Sequence, residues 1–529
     1  MTMTASSPDL TTTAGKLADL RGRLAETEAP VGTDAVEATH AAGDRTARER
    51  IVHLLDEGSF VETDALARHR STEFGLDATR PVTDGVVTGF GTVGGRKVCV
   101  FSQDATVFEG GLGEVHGEKI IKIYDLATKT GVPIIGIHEG AGARVAEGVV
   151  TLAMYSKIFA RATAASGLIP QVAVVVGENA GLHALAPAFA DLVVMVDDRS
   201  SLHLAAPDVV TAVTGTPATA GSLGGAQVHA TTSGTAHATA ATDAEALTLT
   251  RELLAYLPVN NRAEAPRTDA EPMSGAVTEN ITDTDLELDS LIPDSAAGTY
   301  DIREVVTRVA DDGEFLELQP GYAANIVTGF ARVEGRSIGV VANQPTELAG
   351  CLDAVASEKA ARFIRTCDAF NLPVVEFVDT PGFLPGEDQE HGGVVRRGAK
   401  LAYAYAEASV GKITVITRKA IGPAYVVMGS KDMGADLVYA WPTAEIAVTE
   451  APAAVRAIHG EKAADPEKAA QLEAEYAESH INPYLAAERG LVDAVIPPSQ
   501  TRGQLVEGLR LLDRKVVAAP AKKHGNIPL

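Results

Sequence analysis

The 529-residue sequence predicts an α/β protein made of two tandem copies of one folding unit. The first reason is that one stretch is written twice. Val-Thr-Gly-Phe at residues 87–90 returns at 327–330; Val93, Gly95 and Arg96 return as Val333, Gly335 and Arg336; Glu118 and Lys119 return as Glu358 and Lys359; Pro133 returns as Pro373 and Gly142 as Gly382. Every pair is 240 positions apart with no gap. A fixed offset held over about fifty residues marks an internal duplication. The second reason is that each copy reads as a β-rich hairpin followed by alternating strands, glycine-rich turns and helices. The third is composition: 46% hydrophobic and 22% charged residues are ordinary for a globular chain, and each copy is long enough to bury its own core.

Residues 1–15 are small and polar and read as a disordered tail. Leu17, Leu20 and Leu24 fall at helical spacing among charges, which predicts a surface helix. Residues 46–55 predict a second helix, with Gly58 as its stop. Residues 86–91 and 97–101 flank Gly94 and Gly95, the pattern of a hairpin. The string Gly89-x-Gly91-x-x-Gly94 matches a dinucleotide fingerprint only formally. It sits within a strand and a turn, and the second copy has Ala331 and Glu334 in place of two of the glycines. A helix over 113–130, a buried strand over 133–138, a turn over 140–144, a strand over 171–176 and a turn over 177–184 complete the first copy. The Pro-, Asp- and Glu-rich stretch that follows Arg262 lacks an apolar period and predicts a linker. The domains expected are thus 16–265 and 299–529, joined by a linker over 266–298. The second copy repeats the order: hairpin 325–341, helix 357–370, strand 373–378, turn 379–385, strand 412–417, turn and helix start 419–427. An acidic helix follows over 465–476.

Composition also removes function classes. A net charge of −25 argues against a non-specific nucleic-acid binder. No apolar run reaches membrane-spanning length, so no membrane partner is expected. Cys99, Cys351 and Cys367 are too few and too scattered for a disulfide frame or a metal knuckle. No metal site is expected, and a reducing cytoplasm fits.

The chemistry should lie in the turns. After the strands over 133–138, 171–176, 373–378 and 412–417 the chain is rich in glycine and alanine and enters helices. Backbone N–H groups there have no intrahelical partner, and two aimed at one point make an oxyanion hole. For a single turn, tight strand–helix packing explains the small residues equally well. The whole set, in equivalent places in both copies, favours paired anion sites. Gly-x-Ser-x-Gly, His-Glu-x-x-His, a Walker loop and a biotin-carrying Met-Lys pair are all missing from the sequence. Oxyanion holes without a nucleophile point to enolate chemistry on a ligand that brings its own leaving group.

These residues resemble the carboxyltransferase (β) subunit of biotin-dependent acyl-CoA carboxylases, of the actinobacterial propionyl-CoA carboxylase type. The likeness runs from residues 46–64 to the end of the chain. It is strongest over 84–89, 101–104, 343–365, 381–385, 396–400, 412–420, 427–434, 440–443, 482–498 and 522–529. It implies a crotonase-like fold in each half and a homohexamer. The active site would lie where the N-terminal half of one subunit faces the C-terminal half of another. The first half would hold the acyl-CoA thioester and stabilise its enolate. The second half would receive biotin carried on a partner biotin carboxylase/carrier subunit. The hole residues implied are Gly181 and Leu182 on the CoA side and Pro423 and Ala424 on the biotin side. Gly142, Ala143, Arg144, Ala180, Gly422, Tyr425 and Val426 would line the ligands.

The sequence departs from the family at these turns. The first hole usually reads Ala-Gly-Gly-Ala and here reads Ala180-Gly181-Leu182-His183; leucine keeps its N–H. The second usually reads Gly-Gly-Ala-Tyr and here reads Gly422-Pro423-Ala424-Tyr425; proline has none. His138, Glu139, Glu178, His183 and Glu450 are new polar residues around the expected site. Each one alone is ordinary drift at a surface or packing position. Together they make His138 and His183 candidate acid–base groups. Val426 occupies a position that in the family helps choose acyl length, and packing explains it equally well. Three readings follow. One is a working carboxyltransferase. Another is a biotin-independent relative that acts on a malonyl-type thioester, as a decarboxylase or in other enolate chemistry. The third is a non-catalytic ring subunit.

Overall fold

A computed structural model describes residues 8–295, 298–460, 464–518 and 520–528. The chain forms two compact units, Met1–Ala255 with Val259–Asn261 and Tyr256–Pro258 with Arg262–Leu529. Each is built on one eight-stranded mixed sheet.

In the first unit the strands are β1 (Val61–Thr63), β2 (Val86–Val93), β3 (Arg96–Gln103), β4 (Ile134–Gly140), β5 (Gln171–Ala180), β6 (Leu192–Val196), β7 (Ser201–His203) and β8 (Ala238–Ala240). Their order is β1-β2-β3-β4-β5-β6-β8, with β7 paired to the end of β5. The hairpin strands are antiparallel, and β3 through β6 run parallel. The second unit repeats this with β9 (Phe315–Leu318), β10 (Ile326–Val333), β11 (Arg336–Asn343), β12 (Val374–Thr380), β13 (Lys412–Ile421), β14 (Leu437–Ala440), β15 (Glu445–Ala447) and β16 (Ala494–Val495). The order is β9-β10-β11-β12-β13-β14-β16, with β15 on the end of β13.

The duplication holds at the level of single bonds. Gly94 and Gly95 turn the first hairpin at φ +54° and +75°, and Glu334 and Gly335 turn the second at +52° and +74°. Asp56 accepts both turn N–H groups in one copy and Asp311 does so in the other. Lys119 donates to the carbonyls of Thr83 and Val86. Lys359 donates to those of Ala323 and Ile326, each 240 positions on. An ammonium buried among carbonyls finds hydrogen-bond acceptors without a counter-ion. The Gly89–Gly94 string lies along β2 and its turn, so no helix follows it.

Strands buried on both faces carry the cores. In the first unit Phe101 and Ile134 pack under helices Glu114–Thr130 and Val150–Ala165. Ala173, Val175, Val193 and Met195 face the other side. In the second unit Val375, Phe377, Ile413 and Val415 pack with helices Ile302–Val309 and Thr501–Leu511 and with buried Trp441.

Two stretches differ from the sequence reading. The helix over Thr13–Glu26 starts inside the stretch read as a tail, because Thr12 caps it by accepting the Gly15 N–H. The first seven residues of that tail lie outside the described residues. Residues 266–298 are not a free linker where they are described. Thr268 N–H donates to the Gly335 carbonyl and Ser337 N–H to the Pro266 carbonyl, a helix forms at Asp283–Glu287, and Leu288 is fully buried in the second core. Backbone pairing needs no apolar period, so the sequence pattern gave no sign of it.

Candidate active site

Each sheet ends in two glycine-bearing turns, and in the first unit they approach one another. In the first unit, β4 runs out at Gly140. Gly142 follows at φ +103°, its carbonyl accepting the Leu112 N–H at 2.8 Å, and the Arg144 N–H donates to the Leu112 carbonyl at 3.1 Å. Ala143 bridges Leu112. The second turn leaves β5 at Ala180. Gly181 sits at φ +60°, its N–H donates to the His203 carbonyl on β7 at 2.9 Å, and a short helix begins at Leu182. A side chain at 142 would meet the Ala180 carbonyl at 3.2 Å, so the glycine is what lets the turns come together. Ala180, Gly181 and Leu182 are partly open, and the N–H of Leu182 starts a helix that offers it no intrahelical acceptor.

The second unit reproduces the backbone bonds of the first turn. Leu352 N–H donates to the Gly382 carbonyl at 3.0 Å, and Leu384 N–H donates to the Leu352 carbonyl at 2.7 Å. Thr380 lies opposite Ala420 as Gly140 lies opposite Asn179. Gly422 therefore takes the place of Gly181, with φ +63°. Pro423 takes the place of Leu182 and Ala424 that of His183. Where the first turn offers the Leu182 N–H, the second offers none, and Ala424 is the first donor after Gly422. Gly422, Pro423, Tyr425 and Val426 open onto a cavity of about 610 Å³, walled in part by Tyr476 and His480. Those two rings stack at 4.7 Å between centroids. This size suits a small organic ligand.

The histidines proposed as acid–base groups lie behind the first turn. His138 and His183 are 6% and 1% exposed. Burial drives their pKa values down to about 3 and about 4, so both rings are neutral near pH 7. His138 packs edge-on against Phe101, and its Nδ1 has no partner. His183 is held at both nitrogens, by Tyr155 Oη at 2.9 Å and Gln103 Oε1 at 2.6 Å. The cavity beside them is about 10 Å³, room for one water at most. Neither ring is charged near pH 7, and neither opens onto more than this small cavity. Two of the acidic newcomers are paired. Glu139 pairs with buried Arg50 at 2.6 Å, Glu178 pairs with His203 at 3.0 Å, and Glu450 stands exposed at the first position before helix Ala451–His459, its side chain making no cap bond. Arg144 faces inward as well. It bonds Asp84 at 2.8 Å and Glu147 at 2.6 Å and lies 4.3 Å from the Phe108 ring centroid, contacts that brace the turn.

Sequence reasoning missed Gln103, Tyr155, His203 and Arg50, which support these turns. Gln103 had a signal. It closes β3 where Asn343 closes β11, 240 positions on, and both are buried polar residues at the end of an apolar strand. Among the described residues, no group of three or more His, Cys, Asp or Glu side chains is placed to hold a metal ion. No helix there is long and apolar enough to cross a membrane.

The carboxyl transferase domain matches residues 38–527. The biotin-dependent acetyl-/propionyl-coenzyme A carboxylase beta5 subunit of Mycobacterium tuberculosis is 59% identical, covering 98% of this chain and 96% of its own. The propionyl-CoA carboxylase beta chain of Saccharopolyspora erythraea is 56% identical, covering 99% of this chain and 98% of its own. The crystal structure of transcarboxylase 12S, a hexamer with hydrolysed methylmalonyl-coenzyme A bound, superposes with a TM-score of 0.94 at 43% identity, covering 98% of this chain and 99% of its own. With twin sheets, twin turns and a match over nearly its whole length, this chain belongs to the carboxyl transferase domain family.

Proposed function

We infer that this protein is the carboxyltransferase subunit of a biotin-dependent acyl-CoA carboxylase. The observation that carries the reading is the pair of equivalent turns, Gly181–Leu182 and Gly422–Ala424, on duplicated sheets. The reaction needs negative charge held on an oxygen twice, once on the thioester enolate and once on the ureido group. Preset N–H donors do this without reorganising. In this reading the Leu182 N–H faces the thioester oxygen, with Gly142 and Ala143 opposite. The Ala424 N–H faces the ureido oxygen, with Tyr425, Val426 and the 610 Å³ cavity around the ring. Carboxybiotin, brought by a partner subunit, supplies the activated CO2.

The names of the relatives favour a short acyl-CoA of the propionyl type, and the transcarboxylase hexamer favours a homohexamer. Three cysteines with no disulfide fit a reducing compartment, and we place the activity in the cytoplasm. The test is bicarbonate incorporation into acetyl- and propionyl-CoA by the purified chain mixed with a biotinylated carrier and its biotin carboxylase. Incorporation blocked by avidin supports the reading. Turnover that needs no carrier defeats it. Pro423 favours one competitor, a biotin-independent decarboxylase, and malonyl-CoA or methylmalonyl-CoA consumed by the chain alone would identify it.

A further inference from the structure

We propose that Gln103 and His183 are positioning residues that clip the two turns of the CoA-side hole together. This rests on the function inferred above for that site. Gln103 stands at the end of β3, between the two turns, and is 2% exposed. Its Oε1 accepts two hydrogen bonds. The Glu139 N–H donates at 3.2 Å from the end of β4, and His183 Nε2–H donates at 2.6 Å from the turn after β5. One oxygen therefore ties the strand that leads to Gly142 and Ala143 to the helix that carries the Leu182 N–H.

The rest of the shell fixes that oxygen. The Glu139 N–H can only donate, so the amide cannot be flipped. Its Nε2 turns instead to His116 Nε2 at 3.3 Å, and His116 N–H is anchored on Asp84 at 2.9 Å. His183 cannot rotate away, because the Tyr155 O–H donates to its Nδ1 at 2.9 Å from helix Val150–Ala165. Gly140 makes room for the ring: a Cβ there would stand 3.1 Å from His183 Cε1 and 2.4 Å from the Gly110 carbonyl.

The second unit shows what the first has added. Asn343 Oδ1 accepts the Asp379 N–H at 3.3 Å, the same bond in the same place. The residue standing for His183 is Ala424, which has no side chain to complete the clip. The link between turns is therefore particular to the half that would hold the thioester. Hole donors displaced by an ångström can cost about a hundredfold in rate, so the clip should act on turnover more than on binding.

The test compares Gln103→Met, which keeps length but not the acceptor, with His183→Leu, the double variant, and His183→Gln, whose amide can donate to Gln103. The readouts are carrier-dependent kcat, KM for acyl-CoA, and amide exchange of peptides covering 138–144 and 179–184. Expected are kcat losses of roughly 10–100-fold in Gln103→Met and His183→Leu. KM should change by less than about threefold, the double variant should be no worse than the singles, and His183→Gln should recover most of the loss. His183→Leu should speed exchange at 138–144, and Gln103→Met should speed it at both 138–144 and 179–184. If Gln103→Met proves unstable, that cross-turn exchange in His183→Leu decides. Unchanged kcat, or unchanged exchange at 138–144, overturns the proposal. A wild-type chain without carrier-dependent turnover refutes the function reading instead, and the exchange data still decide the clip.

Discussion

Replacing Pro423 with alanine adds one backbone N–H where the first unit carries that of Leu182. Gly181 and Gly422 hold the two turns at nearly the same φ, +60° and +63°. The strands before them are in equivalent register, so in the function inferred above the new N–H stands at the position that Leu182 holds in the first unit. A preset oxyanion donor is worth about 2.7–4 kcal/mol, or about 10²–10³ in rate. Pro423 is exposed at the mouth of the cavity, so water weakens the bond, and a gain of about tenfold is the conservative expectation. Losing the restricted φ of proline costs about 0.4–1 kcal/mol of stability, too little to unfold the unit. The assay is the initial rate of carrier-dependent carboxylation at saturating acyl-CoA, wild type against Pro423→Ala. The expected result is a higher kcat with an unchanged KM for acyl-CoA. An unchanged kcat in a folded variant would refute the view that this turn stabilises charge through the N–H of residue 423.

The mirror experiment is Leu182→Pro. Proline is tolerated at the first position of a helix, so the melting temperature should hold while kcat falls by about 10²–10³. The kcat–pH profile should carry no limb from His138 or His183 across about pH 6 to 8, because burial keeps both neutral there. His138→Leu should leave the shape of that profile as it was. Glu376 is fully buried on β12, bonded to Thr414 at 2.9 Å, with Gly429 at φ +58° leaving it room, and burial raises its pKa to about 8. The fold therefore holds this proton while the unfolded chain releases it near its ordinary value of 4.5. Stability is undiminished below that value and falls as pH rises toward about 8, by about 1.4 kcal/mol per unit. Glu376→Gln should flatten that slope in melting temperature against pH, and a slope equal to wild type would refute the assignment.

The sequence alone determined the architecture, because duplication leaves a trace no folding step can erase. An offset of 240 located the hairpins and the first strand and turn after them in both units, the second strand and its turn following at 241, and proline at 423 removes an N–H whatever the fold. Strand ends were harder to read. β5 and β13 run on to Ala180 and Ile421, past where their apolar runs stop, because β7 and β15 pair with them there through backbone groups that carry no side-chain signature. The sequence also placed five polar newcomers near the turns without saying which way they face. Only the tertiary structure decided that His138 and His183 are buried, that Arg50 engages Glu139, and that Arg144 braces its own turn. Spacing along a chain sets which residues come near a site. Whether a side chain meets water or a neighbour depends on strands distant in sequence, and that decides whether it can take a proton.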